Sequence, residues 1–114
     1  MRALIYGTIL FVIGQSLIWF QTNGQFIWPW FRRNPFLVSL IAGTGISYMF
    51  IVATRYVATY YGGLLWPGRF IAFGTGMVSF TLLTWYFLNE GVSAKTLVSL
   101  LLALCLVAIQ VIWK

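Results

Sequence analysis

The sequence predicts an all-α integral membrane protein, a single four-helix bundle spanning residues 1–114. Three observations carry that expectation. Apolar residues make up 61% of the chain and charged residues only 7%, against roughly 25% charged residues in an ordinary soluble domain. Four apolar segments of the length a bilayer requires, about 20 residues each, can be marked at 3–20, 36–54, 70–88 and 94–113. Aromatic residues, 19% of the chain, gather at the ends of those segments, where an apolar ring with a wet N–H or O–H sits well at a membrane interface.

The first segment is read as structure and not as a targeting signal, because apolar segments recur to the last residue instead of giving way to a polar mature domain. Its connection to the second, QTNGQFIWPWFRRNP, carries Asn23-Gly24, Trp28-Pro29-Trp30 and Arg32-Arg33. Asn34 fits a helix N-cap, and Pro35 fits the first helical position, where a missing N–H costs nothing. The second connection is amphipathic from Arg55 to Tyr61, and Gly62-Gly63 and Trp66-Pro67-Gly68 both break helices. A short interfacial segment is expected there, with the third helix beginning near Pro67. The third connection, Asn89 to Ser93, reads as a tight turn, with Gly91 after the helix end and Ser93 as the next N-cap. The third and fourth helices should form an antiparallel hairpin.

Small residues recur at helical spacing: Ser39, Gly43 and Ser47 on the second helix, with Ala72/Gly76, Thr75/Ser79 and Ser99/Ala103 farther on. Such faces let backbones approach closely where lipid supplies no hydrophobic drive, and they are expected to make the bundle. Gly-Thr-Gly occurs at 43–45 and again at 74–76. Both copies lie inside apolar segments and not between a strand and a helix start, so packing or a local kink is expected and a nucleotide loop is not.

The formal charge of +6 comes from seven scattered basic residues against one acid, Glu90. This suits lipid headgroups, and no nucleic-acid partner is expected, since a phosphate footprint needs a clustered basic face. With the termini on one side, Arg2, Arg55, Arg69 and Lys114 share a face against Arg32, Arg33 and Lys95 on the other. That near balance permits insertion in both orientations, and hence an antiparallel homodimer. Cys105 is the only cysteine and histidine is absent. Triads, paired carboxylates and His/Cys metal cages are therefore not available, and neither an enzyme nor a cofactor is expected.

Four short helices, Gly14-Gln15 in the first, and Leu88-Asn89-Glu90-Gly91-Val92-Ser93 ahead of an apolar last helix resemble the drug/metabolite transporter superfamily. The resemblance is greatest to its small four-helix members, the small multidrug resistance proteins and an uncharacterised four-helix family. It implies a dimer with a pathway at its interface and, in the small multidrug resistance proteins, a first-helix glutamate shared by proton and cationic substrate. Here Gln15 and Ser16 stand in the first helix without a carboxylate. A neutral amide does not exchange a proton near pH 7. The tryptophan and glycine of that family's third helix are matched by Trp66 and Gly68, and the basic residue of the uncharacterised family by Arg69.

The function expected is a small transporter moving a neutral or anionic solute, or a lipid-like molecule, through a dimer interface in a plasma (inner) membrane. Gln15, Trp19, Trp66, Arg69 and Gln110 are the candidate substrate-binding residues. Polar groups inside apolar spans often mark a pathway, although hydrogen bonding between helices accounts for them equally. The alternative is a structural or accessory subunit of a larger membrane complex. Arg69 belongs near the membrane face, since Phe70 to Asn89 is already a full span. There it can snorkel to headgroups or stand at the mouth of a cavity.

Overall fold

A computed structural model describes residues 1–113; Lys114, grouped above with Arg2, Arg55 and Arg69, lies outside the described residues. Five α-helices run in order, α1 (Arg2–Asn23), α2 (Pro29–Arg33), α3 (Pro35–Tyr60), α4 (Trp66–Leu88) and α5 (Ala94–Ile112), with a single 3-10 turn at Gly24–Phe26. No strand occurs among the described residues. Of these helices, α1, α3, α4 and α5 are long and apolar enough to cross a membrane.

Local chemistry sets where each helix stops. α3 runs six residues past the expected end at Thr54, because nothing between Arg55 and Tyr60 breaks a helix. The interfacial segment expected there is its last turns. It ends where Gly62 and Gly63 take φ of +68° and +96°, the left-handed region that a side chain disfavours. α4 begins at Trp66 with Pro67 in its first turn, so Arg69 is already helical and not ahead of the helix. At the far end of α4 the left-handed residue is Asn89 (φ 55°), not Gly91. An Asn side chain tolerates that conformation, and one such residue suffices to end a helix. Pro35 opens α3 as expected, but the Asn34 side chain donates back to Trp30 O in α2 at 3.0 Å and does not cap α3. Ser93 does cap α5, accepting from the Thr96 amide at 3.2 Å.

The long helices form an open layer and not a closed bundle. α1 lies between α3, antiparallel to it, and α4, parallel to it; α5 is held by α4. The molecule measures 47 × 36 × 18 Å, much wider than it is thick, whereas four helices packed two by two would be about equally wide and thick. Phe11, Ala53, Val57, Ile71 and Ala72 form the core where α1, α3 and α4 meet. Backbones approach most closely at glycines other than those of the expected Ser39-Gly43-Ser47 face. A Cβ on Gly7 would stand 2.6 Å from Val57 Cγ2 and 3.0 Å from Ala53 O, and one on Gly74 would stand 2.7 Å from Val107 Cγ2. Ser39 and Ser47 are exposed on the outer face of α3, and Gly45 meets nothing within 4 Å. Ser39, Gly43 and Ser47 therefore line an outward groove instead of joining helices.

Candidate functional site

Three side-chain hydrogen bonds between long helices lie on one seam, between α1 and α4. Gln15 Nε2 donates to Ala72 O at 2.9 Å, Ser16 Oγ lies 3.4 Å from Ser79 Oγ, and Trp19 Nε1 donates to Thr84 Oγ1 at 2.9 Å. Because the two helices run parallel, Gln15, Ser16 and Trp19 on α1 meet, in the same order, the Ala72 carbonyl, Ser79 and Thr84 on α4. Gly76 makes room for the Gln15 side chain, since a Cβ there would stand 2.9 Å from its amide carbon. Thr75 is turned onto its own helix, donating to Ile71 O at 2.9 Å. At this seam the interhelical hydrogen-bond account of the polar residues is the one seen.

Gln15 has a second neighbourhood. On its other side a cleft of ≈ 420 Å³ opens among α1, α3 and α4, lined by Phe11, Gln15, Phe50, Thr54, Arg69 and Ala72, among others. Arg69 reaches it because Pro67 and Gly68 are buried against the end of α3, Gly68 with Val57 as its neighbour, which turns the next residue toward α1. Arg69 is exposed, which sets it on the open side of the cleft, while Phe11 is buried and its ring lies 5.7 Å from that of Phe50. No acid, histidine or cysteine lines this cleft. The first turn of α4 adds the partial positive charge of a helix N-terminus on the same side.

The five residues expected to bind substrate are thus divided. Gln15 and Arg69 share the cleft. Trp19 is buried, its N–H given to Thr84 and its ring 5.6 Å from Phe87, in a cluster with Phe20 and Trp28 at the opposite face. Trp66 is 67% exposed and its ring is 6.3 Å from Phe70, outside the cleft. Gln110 lies on α5, away from the cleft lining. Thr54 is the polar lining residue that the sequence reading did not single out. Its signal was present as Phe50 and Thr54 one helical turn apart, hidden by ending the helix at Thr54. Close by, in the α3–α4 connection, burial pushes the Tyr61 hydroxyl above its ordinary value, with neighbouring Tyr60 adding to the effect.

Compared with known proteins, the chain matches no family model, no curated protein and no solved structure.

Proposed function

We propose that the chain is a multi-pass membrane protein, a small transporter of the drug/metabolite type working as a homodimer, and that it takes a neutral or anionic small solute or lipid-like molecule in the Arg69 cleft. The observation that carries this reading is an arginine on the open side of a cleft whose lining holds Gln15 and Thr54 but no carboxylate. A cationic solute would meet uncompensated repulsion there, whereas an anionic group gains charge-assisted hydrogen bonds. Gln15 keeps its carbonyl oxygen free of the Ala72 bond and Thr54 has a hydroxyl, so a neutral polar solute also finds partners. Outward faces rich in large apolar side chains, among them Leu40, Ile41, Leu101 and Leu102, suit lipid as the surrounding solvent.

The test is flux in liposomes containing the purified chain, with organic anions, sugars, nucleosides and amines offered separately. Uptake of an anionic or neutral solute that falls about tenfold or more in Arg69→Gln is expected, the scale of one charge-assisted contact. Transport of amines alone would overturn the reading. A second reading, an accessory subunit of a larger membrane complex, is favoured by α5, on which Ala103 is the one buried residue. Extraction in mild detergent separates the two. A particle of two 13.0 kDa chains supports the homodimer, and a stable unrelated partner supports the accessory role.

A further inference from the structure

On the face opposite the Arg69 cleft, the chain between α1 and α3 folds back over the helix ends. Gly24 is buried, and a Cβ there would stand 2.6 Å from Phe31 Cδ2, so the Phe31 ring lies directly on the backbone at the end of α1. Trp28 lies with its ring 5.3 Å from Phe31, 6.1 Å from Phe20 and 6.5 Å from Phe87. These contacts pin α2 at the level of the last turn of α4. Arg32 and Arg33, in the last turn of α2, are both exposed and line a cleft of ≈ 470 Å³ together with Gln25. Phe26, Ile27, Trp28 and Pro29 supply the apolar half of its lining. No carboxylate lines it, and Glu90, the one acid of the chain, stands in the α4–α5 turn.

We propose that this cleft holds the headgroup of an anionic phospholipid, with Arg32 and Arg33 donating to the unesterified phosphate oxygens and the glycerol end lying along Phe26, Ile27 and Pro29. Arg32 and Arg33 put two cations on one cleft with no acid in its lining, so an anion there offsets their repulsion, and a guanidinium's planar fork fits the oxygens of a phosphate. The apolar half of the cleft selects the source. A free phosphate ion would leave Phe26 and Ile27 facing water, whereas a lipid covers them and keeps its acyl chains in the membrane beside the aromatic cluster. The inference rests on the membrane reading above but not on the Arg69 cleft, from which it differs in face and in every residue.

The test uses the full chain in phosphatidylcholine nanodiscs with increasing phosphatidylglycerol, and native mass spectrometry to count retained lipids. Wild type is expected to retain phosphatidylglycerol in preference to phosphatidylcholine, the Arg32→Gln/Arg33→Gln variant to hold it about tenfold less tightly, and Lys95→Gln, on the same face, to behave as wild type. Soluble glycerol phosphate is expected not to displace the lipid. Equal retention by wild type and the double variant, equal loss in Lys95→Gln, or displacement by glycerol phosphate would each overturn the lipid site. A chain that stays soluble and enters no disc overturns the membrane reading and the lipid site together, whereas incorporation without phosphatidylglycerol preference overturns the lipid site alone.

Discussion

Gln15 serves two neighbours at once, giving its amide to Ala72 O across the α1–α4 seam and offering its remaining polarity to the cleft. Replacing it with leucine should therefore cost roughly 1 kcal/mol of stability, in line with single interhelical hydrogen bonds in membranes, and should also lower affinity for polar solutes. Thermal unfolding in detergent measures the first effect and liposome flux the second; a variant altered in neither would dismiss the double role. Trp19→Phe keeps most of the ring but leaves the buried Thr84 hydroxyl without its donor, and should lower stability by about 1–3 kcal/mol with little effect on flux. Tyr61 supplies a pH dependence whose direction follows from its raised value. The unfolded chain loses that proton first, near pH 10, so the contribution is complete below pH 10 and declines as pH rises through the folded value. Tyr61→Phe should flatten that alkaline decline. At this scale the sequence grouped five residues as one candidate site, of which Gln15 and Arg69 line a common cleft and Trp19, Trp66 and Gln110 do not. Residue type reveals that a polar or aromatic group needs a partner; which neighbour supplies it depends on helix rotation, and Trp19 found Thr84 65 positions away.

Among the elements, the spans, their order and the α4–α5 hairpin were legible because breakers and caps are local. Pro35, Gly62-Gly63, Pro67 and Ser93 each act within a few residues of themselves. Helix faces were less legible. Small residues permit close approach without compelling it, so the regular Ser39-Gly43-Ser47 stripe points outward while the less patterned Gly7 and Gly74 carry the contacts. The difference is measurable by adding bulk. Gly74→Leu should push α5 away from α4 through the Val107 contact and lower the unfolding temperature, whereas Ser47→Leu should leave the unfolding of the isolated chain nearly unchanged. Comparable losses in the two variants would mean that the outward stripe is covered. The Gly-Thr-Gly repeat divides in the same way, with Gly74 and Gly76 of the second copy in helix packing and Gly45 of the first in open space.

For the whole molecule, the decisive property is an 18 Å slab, open along α5, where composition predicted a bundle. Apolar content fixes how much surface avoids water, but lipid and a neighbouring helix are equally good covers for it, so closure cannot be read from hydropathy. The absence of a carboxylate or histidine from the Arg69 cleft gives a prediction at the same scale: solute binding should stay level between about pH 5.5 and 8.5, the range in which a proton-coupled site built on an acid or histidine would titrate. A bell-shaped or sigmoidal flux profile across that range would contradict it. The unequal lengths of the outer helices add a mechanical consequence. α3, at 26 residues, is about 39 Å long and α5, at 19 residues, about 29 Å, and they stand at opposite edges of the slab. A bilayer with a core near 30 Å matches α5 upright but obliges α3 to lean or to lift its last turns, Arg55 among them, clear of the hydrocarbon. In such a bilayer the protein would act as a wedge, tilting by an amount set by acyl-chain length, so that changing bilayer thickness in reconstituted vesicles would change the opening of the cleft that α3 helps to wall.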